Sequence, residues 1–282
     1  MKVFRVDLYA HFDLPRPEHG VGYLDCYLPK DLGFASLRRQ RPAILVIPGG
    51  GYAHVSPREA EPIALRFLTF GYAAFVLDYA VAPARFPLSL REAAMAMAYI
   101  RQKATEFGID QVAATGFSAG GHLCGMLGTL FDAPELADIA PAEAVRPDGL
   151  CLCYPVIVSW GNTHSGSFRN LCGEDEALRQ RVSLENCVRS DMPPTFVWHT
   201  RDDGTVPCRN SLILAQAMEK AGIPFELHMY RSGQHGLSTA DDQVYPAHLV
   251  PAVSYGVPGW LEAAAEFFRE MGFCVRDLEE NA

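Results

Sequence analysis

The sequence lacks an apolar run of the length that a membrane span requires, which is about 18 residues. It also lacks the apolar core of a signal peptide, because residues 1–7 have the alternating pattern of a strand. We therefore expect a cytoplasmic protein that makes no membrane contact. An excess of positive charge is absent as well, and the formal net charge of -9 argues against nucleic acid or an anionic membrane surface as a partner.

Motifs for phosphate and metal binding are also missing. The glycine triplet at 49–51 is not followed by the Gly-Lys-Ser/Thr of a phosphate-binding loop. His122 and Cys124 lie two apart on a predicted helix and therefore on different faces, so they do not form a metal site. The eight cysteines contain no Cys-x-x-Cys pair and are predicted to be reduced thiols. We expect no metal and no cofactor, and the sequence does not indicate an oligomeric state.

The 282 residues are enough for one large α/β domain over 1–282, and the hydrophobic content of 49% is that of a globular protein. Apolar runs alternate with amphipathic segments from residue 43 onwards, which predicts a mostly parallel sheet with helices on both faces. The predicted strands are 3–9, 22–28, 43–47, 73–77, 111–115, 149–158, 195–199 and 224–229. The predicted helices are 57–70, 89–107, 122–130, 209–221 and 258–271. Residues 159–191 mix aromatic and polar residues without a clear period, and we interpret them as a cap-like insertion over the site.

One short stretch carries the first chemical signal. Gly116, Ser118 and Gly120 form a Gly-x-Ser-x-Gly pattern between a predicted strand and a predicted helix. This is the setting of a nucleophile elbow, in which the serine adopts a strained backbone conformation and the glycines leave room for it. The positive end of the following helix then points at the serine, where negative charge develops during attack. Ser118 is therefore the candidate nucleophile.

A serine nucleophile needs a base, and the base needs an acid to hold it. In a sheet of this kind the acid and then the histidine follow the serine, each in a loop after a strand. Of the nine histidines, only His235 lies in a glycine-flanked loop after the last predicted strand, so it is the candidate base. Asp202 and Asp203 both follow the strand at 195–199, and either can be the acid while the other orders the loop.

Three glycines follow the first central strand. Glycine leaves backbone N–H groups free to approach a substrate oxygen. The N–H groups of Gly50, Gly51 and Ala119 are therefore the predicted oxyanion hole. The alternative is a flexible loop without this role, because a glycine triplet alone is a weak signal.

Together these segments resemble the α/β-hydrolase superfamily, and more narrowly its small serine esterases, which include carbohydrate acetylesterases and acetyl xylan esterase-like proteins. The shared motifs are Pro-Gly-Gly-Gly-Tyr at 48–52, Asp-Tyr-Ala-Val-Ala-Pro at 78–83, the elbow, His-x-x-x-Asp-x-x-Val-Pro at 199–207 and His-Gly-Leu at 235–237. The family places its acid three residues before the valine, so the resemblance implies Asp203 rather than Asp202.

Three positions depart from patterns seen among these relatives. Pro48 stands in place of the histidine of lipase-type proteins, as in the acetylesterase branch. Glu92 stands where many relatives have Asp, and Ala80 replaces the arginine of a Tyr-Arg-Leu segment. A contact made by that arginine is therefore missing here.

The resemblance implies a carboxylic ester hydrolase that acts on a small-molecule or oligosaccharide ester, with acetyl groups on a sugar as the expected substrate. Ser118 would attack the carbonyl, His235 would transfer the proton and Asp203 would orient His235. The predicted substrate-binding residues are Tyr52, His54 and Trp160, with His164, Phe168 and Trp198 as further candidates for the pocket wall. The insertion has too few apolar residues in helical spacing for a lipase lid, so we expect short acyl chains.

Two other classes of function remain open. The same three side chains can act on another acyl bond, as in an arylformamidase or a peptidase. A non-catalytic binder of the same fold usually loses one of the three, and all three are present here.

Overall fold

The computed structural model describes residues 1–30, 37–161, 163–246, 248, 250–254 and 256–279. Strands β1 to β9 of these residues are, in chain order, Lys2–Asp7, Tyr23–Leu28, Leu37–Ile47, Ala73–Asp78, Ile109–Phe117, Gly149–Cys153, Thr195–Thr200, Phe225–Tyr230 and Arg276–Glu279. Helices α1 to α10 are Leu8–His11, Glu61–Thr69, Leu88–Gln102, Ala104–Phe107, Ala119–Thr129, Ala142–Val145, Ser165–Cys172, Glu176–Arg181, Arg209–Ala221 and Trp260–Glu270. No helix in these ranges is long and apolar enough to cross a membrane.

The main sheet has the strand order β1-β2-β4-β3-β5-β6-β7-β8. All neighbours from β4 to β8 run parallel, whereas β1 and β2 are antiparallel to their neighbours. The mostly parallel sheet predicted from the alternating pattern is thus confirmed. Parallel order brings the carboxyl ends of β3, β5, β7 and β8 to one edge, and the loops after these strands carry the candidate site residues.

Helices cover both faces of the sheet, as predicted. In β3, Leu45 and Ile47 belong to one buried cluster together with residues of α3, α5 and α9. Ile44 and Val46 point the other way, into a second cluster with α2 and α10. A strand that alternates between two covered faces is apolar throughout, which explains why the central strands read as continuous apolar runs.

Two predicted elements are divided in the structure. The helix predicted over 57–70 is a short 3-10 turn, Pro57–Glu59, followed by α2, and Ser56 makes no side-chain cap. The helix predicted over 89–107 breaks at Lys103 into α3 and α4, and Gly108 ends α4 in the left-handed region. Propensity and periodicity do not resolve such breaks, because tertiary packing decides where a turn tightens.

Two predicted strands are shorter than expected. The first gives way to α1 at Leu8, where the Asp7 side chain accepts a hydrogen bond from the Ala10 N–H as an N-cap. The strand predicted over 149–158 ends at Cys153, because Tyr154 has a φ of 38° and turns the chain. The final strand β9 was not predicted; it pairs antiparallel with the start of β3.

The 159–191 segment, which the sequence analysis interprets as a cap-like insertion, contains regular structure that was not predicted in detail. It holds α7 and α8, and the Asp175 side chain caps α8 by accepting from the Leu178 N–H. Phe168 and Leu171 on α7 are buried against the rest of the protein. Hereafter we call residues 159–191 the cap segment.

Candidate active site

Ser118 lies between the end of β5 and the start of α5, at the carboxyl edge of the sheet. Its φ of 54° falls in the left-handed region, which a non-glycine residue occupies only under strain. A Cβ on Gly116 would lie 2.3 Å from the carbonyl oxygen of Gly120, and one on Gly120 would lie 2.2 Å from that of Ile47. Both glycines are therefore required for the turn, as the Gly-x-Ser-x-Gly pattern predicts.

The loops after β7 and β8 bring Asp203 and His235 to this serine. Nε2 of His235 is 2.8 Å from Oγ of Ser118, and Nδ1 of His235 is 2.6 Å from Oδ2 of Asp203. An ionised carboxylate only accepts, so Nδ1–H donates to Asp203 and Nε2 is left to accept from the serine hydroxyl. The three residues form a hydrogen-bonded chain that can take a proton from Ser118.

Asp203 is buried and held at both oxygens. Its Oδ1 accepts from the N–H groups of Thr205 and Val206 at 2.8 and 2.9 Å. Burial acts to raise the pKa of Asp203, but hydrogen bonds from His199 and His235 outweigh burial and hold that pKa well below its usual range. The carboxylate is therefore ionised at neutral pH and can stabilise a protonated His235.

Asp202 has a different environment. It is exposed, and its Oδ1 accepts from the N–H of Gly233 at 2.7 Å, which lowers its pKa. This bond links the loop after β7 to the loop that carries His235. The adjacent aspartates thus divide into one that contacts the histidine and one that ties the two loops together.

The glycine-rich loop after β3 borders Ser118. Gly50 and Gly51 have φ values of 125° and 66°, and none of the hydrogen bonds found among the described residues uses their N–H groups. Ala119 is the first residue of α5, where an N–H has no acceptor within the helix. The three predicted oxyanion donors thus come from the loop after β3 and from the first residue of α5, both of which border Ser118.

Sequence reasoning missed a buried carboxylate beneath this loop. Glu59 is 3% exposed, and its Oε2 accepts from the Gly49 N–H at 2.9 Å. Its Oε1 accepts from the Tyr154 hydroxyl at 2.7 Å, and that hydroxyl accepts from the Ser238 N–H at 3.0 Å. The Tyr154 ring also packs edge-on against His235, with the centroids 5.0 Å apart. Glu59 and Tyr154 therefore connect the glycine loop to the loop that carries His235.

A cavity of about 310 Å³ opens at Ser118. The residues that line it are Gly50, Gly51, Ala53, His54, Ser56, Arg58, Glu59, Ser118, His164, Asn170, Thr205, His235 and Gly236. Of the three residues predicted to bind substrate, His54 lies in this wall.

Tyr52 and Trp160 lie outside the wall. The Tyr52 side chain is buried, and its hydroxyl is 2.8 Å from Nδ1 of His122 in the layer behind α5. Trp160 is 48% exposed, and its Nε1–H donates to Glu185 at 2.7 Å. Of the further candidates, Phe168 and Trp198 are buried in the hydrophobic core, whereas His164 lines the cavity.

The cap segment closes one side of the cavity through α7. His164 Nδ1 is 2.8 Å from the Ser167 hydroxyl, and burial together with the nearby His235 lowers the pKa of His164. Asn170 donates from Nδ2 to the carbonyl oxygen of Gly51 at 2.9 Å. The cap segment is thus tied directly to the glycine loop.

No cluster of three or more His, Cys, Asp or Glu with metal-binding geometry occurs in the described ranges.

Family models match most of this region. The model of the prolyl oligopeptidase family matches residues 90–250, which span the elbow and the loops that carry Asp203 and His235. A second model, BD-FAE, matches residues 24–146. The solved structure of MGS-M1, an alpha/beta hydrolase enzyme from a Medee basin deep-sea metagenome library, is 31% identical, covers 96% of this chain and 97% of its own, and has a TM-score of 0.72.

The chain belongs to the α/β-hydrolase superfamily. Within it, the matched model assigns the chain to the prolyl oligopeptidase family. The superfamily and the fold predicted from the sequence are confirmed. The acetyl ester-xyloside bifunctional hydrolase from Caldicellulosiruptor lactoaceticus is 39% identical, with a TM-score of 0.78 over 90% of this chain and 89% of that chain.

Two curated proteins are also similar. An acetylxylan esterase from Xylanibacter ruminicola is 31% identical over 235 residues, which are 80% of this chain and 45% of the relative. Endo-1,4-beta-xylanase B from Butyrivibrio fibrisolvens is 40% identical over 220 residues, which are 73% of this chain and 34% of the relative. This α/β-hydrolase therefore spans less than half the length of these two relatives.

Proposed function

We propose that this protein is a serine carboxylic ester hydrolase that removes short acyl groups, acetyl above all, from sugars or oligosaccharides. The observation that supports the proposal most is the hydrogen-bonded chain Ser118–His235–Asp203 at a cavity of about 310 Å³. The strained serine, the buried ionised acid and the free N–H groups beside them are the parts that acyl transfer requires.

In the proposed reaction, Ser118 attacks the ester carbonyl while His235 takes the hydroxyl proton. The oxyanion is held by the N–H groups of Gly50, Gly51 and Ala119, where α5 also presents the positive end of its dipole. His235 then returns the proton to the leaving alcohol, and Asp203 stabilises the imidazolium between these steps. Water enters, His235 activates it, and the acyl group leaves Ser118 as a carboxylic acid.

Glu59 and Tyr154 are proposed to act as positioning residues for this reaction. They touch the glycine loop through the Gly49 N–H and the histidine loop through the Ser238 N–H. Because the Tyr154 hydroxyl that accepts from Ser238 donates in turn to Glu59, a shift in either loop disturbs the other. The proposed role is to fix the positions of the oxyanion donors and of His235 relative to Ser118.

A sugar ester suits the cavity better than a lipid ester does. The wall offers hydrogen-bonding side chains in Asn170, Thr205, His54 and His164, and Ala53 is the one aliphatic side chain among its described residues. The names of the similar hydrolase from Caldicellulosiruptor lactoaceticus and of the similar acetylxylan esterase point to the same substrate class. His54 and His164 are the residues we propose to contact the substrate.

A peptidase is the second candidate, because the matched family model is that of prolyl oligopeptidases. The same three side chains can cleave an amide, as they also would in an arylformamidase.

A cytoplasmic location and a single domain over 1–282 stay predictions, which cell fractionation and limited proteolysis would check.

The decisive assay measures kcat/KM for p-nitrophenyl esters from acetyl to octanoyl, beside acetate release from acetylated xylo-oligosaccharides. We expect acetyl or propionyl to be best, with a steep fall by octanoyl. A deep apolar channel would instead add about 0.8 kcal/mol of binding for each buried methylene, so kcat/KM would rise with chain length. A maximum at octanoyl would contradict the short-acyl proposal. Turnover of formamides or peptides without turnover of esters would contradict the esterase proposal and favour an arylformamidase or a peptidase.

A further inference from the structure

One cation borders the candidate active site. Arg58 lies in the 3-10 turn Pro57–Glu59 and lines the cavity, with its side chain exposed to solvent. It is the single Arg or Lys among the described residues of the cavity wall. The formal net charge of the chain is -9, so this positive group contrasts with the protein as a whole.

The position of the Arg58 guanidinium is defined by an aromatic ring. Its central carbon is 5.0 Å from the ring centroid of Tyr245, a cation–π arrangement that orients the planar group. The Tyr245 hydroxyl donates to the Gly236 carbonyl oxygen at 2.8 Å, which fixes the ring beside the residue after His235. A Cβ built on Gly236 would lie 3.5 Å from Nη2 of Arg58. The guanidinium therefore borders the same loop that presents the base.

Arg58 has no carboxylate partner within the ranges that the structure describes. The adjacent Glu59 uses its two oxygens for the Gly49 N–H and the Tyr154 hydroxyl. Several other arginines of the described chain are paired with a carboxylate, among them Arg5, Arg66, Arg91, Arg181 and Arg189. A preorganised guanidinium left without a counterion at the wall of a substrate cavity is suited to an anionic group on the substrate.

We propose that Arg58 binds a carboxylate on the alcohol part of the substrate, so that the preferred ester is an acetylated uronic acid rather than an acetylated neutral sugar. This inference rests on the proposed ester hydrolysis. The leaving alcohol must lie against His235, because Nε2 of His235 returns the proton to its oxygen, and the Gly236 side of that loop is where Arg58 lies. One guanidinium balances a monoanionic carboxylate, whereas a dianionic phosphate would call for further cations that the described wall does not offer.

The test compares kcat/KM for a mono-acetylated methyl glucuronoside with kcat/KM for the matching mono-acetylated methyl glucoside. In the wild type we expect a preference for the acidic ester of roughly five- to tenfold, the size of a charge-assisted hydrogen bond at an exposed site. Arg58→Met should bring this ratio to about one, and Arg58→Lys should leave part of it, because a point charge remains without the planar fork. Raising the salt concentration should shrink the wild-type ratio, since an exposed ion pair is screened.

Arg209→Met is the matched control. Arg209 also stacks on an aromatic ring, 5.4 Å from the centroid of Trp160, but it lies outside the cavity wall. This variant should keep both the activity and the preference of the wild type. A wild-type ratio near one, or a preference that persists unchanged in Arg58→Met, would overturn the proposal. Failure of the ester-hydrolase proposal is distinct, because then neither sugar ester releases acetate.

Discussion

Two regions flank Ser118, and each presents a histidine. On one side, the loops after β7 and β8 hold His235 against Asp203, and His235 lines the cavity. On the other side, the layer between α5 and the cap segment buries His122 completely. His122 is one helical turn after Ser118, so it is closer to the serine along the sequence than His235 is. The residue type and the distance along the chain therefore do not identify the base.

The partners of the two rings explain the difference. Nε2–H of His122 donates to the Val182 carbonyl oxygen at 2.7 Å, and Nδ1 accepts from the Tyr52 hydroxyl at 2.8 Å. No carboxylate among the residues that the structure describes offsets the loss of solvent, so burial lowers the pKa of His122 to about 4 and the ring is neutral. His235 has the ionised Asp203 to stabilise its cationic form. We infer that His122 joins the cap segment to α5, whereas His235 exchanges protons.

The largest effect is expected for Ser118→Ala. This change removes the proposed nucleophile and should lower kcat by about 10⁴- to 10⁶-fold on acetyl esters. The thermal unfolding midpoint should stay close to that of the wild type, because the change deletes one oxygen at a turn. A fluorophosphonate should label the wild type at Ser118 and leave the variant unlabelled. More than a few per cent of residual activity in the folded variant would contradict the assignment.

Asp203→Asn should have the next largest effect, a loss of about 10⁴-fold in kcat, because the amide can neither fix the His235 tautomer nor stabilise the imidazolium. Asp202→Asn is the matched control, since it is adjacent and also faces a loop. It should lose little activity, because an amide oxygen can still accept from the Gly233 N–H. Both variants are compared by kcat on p-nitrophenyl acetate, and the reverse ranking would assign the role of the acid to Asp202.

The pH dependence of the free energy of unfolding tests whether His122 is neutral in the folded protein. His122 has a pKa of about 4 in the folded protein against an ordinary value of 6.5, so the unfolded chain takes up the proton first as the pH falls. The contribution of His122 to the free energy of unfolding is therefore constant above about pH 6.5. It falls by about 3 kcal/mol in total as the pH drops from about 6.5 to 4. Urea unfolding of the wild type and His122→Gln at pH 7 and pH 4 measures this loss.

Between pH 7 and pH 4, the free energy of unfolding of His122→Gln should fall by less than that of the wild type, and the difference should be about 3 kcal/mol. The exposed His248→Gln serves as the control and should keep the wild-type dependence. An identical acid dependence in the wild type and His122→Gln would show that His122 is not a buried neutral group.

A smaller effect is expected for the positioning pair. In Glu59→Gln the amide has one oxygen, so it can accept from the Gly49 N–H but not from the Tyr154 hydroxyl as well. Tyr154→Phe removes the hydroxyl that donates to Glu59. We expect each to lower kcat roughly tenfold to a hundredfold with little change in KM, because a small misplacement of the donors weakens binding of the transition state more than of the substrate. In a double-mutant cycle the two losses should not add. A rise in KM alone, or additive losses, would contradict the positioning role.

The sequence predicted the parts of the site that depend on local geometry. The elbow follows from the crowding around Gly116 and Gly120, and the order of acid and histidine follows from the order of the parallel strands. The parallel direction of β3 to β8 follows from the alternation of strands and helices, whereas the strand order, with β3 between β4 and β5, was not predicted. Asp203 was separated from Asp202 only by the resemblance, because their difference depends on bonds to two separate loops.

Contacts between distant segments were not predictable in the same way. Tyr52 follows the glycine triplet directly, yet a φ of 56° sends its side chain toward His122, 70 residues away. Trp160 bonds to Glu185 within the cap segment instead of facing the cavity. Glu59 acquires its partner Tyr154 across 95 residues, and no local pattern distinguishes it from an ordinary helix-start acid.

The central claim is that acyl transfer passes through Ser118 with His235 as the base. Acid quenching of the enzyme during turnover of p-nitrophenyl acetate, followed by peptide mapping in a mass spectrometer, tests it most directly. We predict an acetyl group on the peptide that contains Ser118, and none on that peptide in Ser118→Ala or His235→Ala. An acetyl group on another residue of the working enzyme, or wild-type acetate release by Ser118→Ala, would contradict the account.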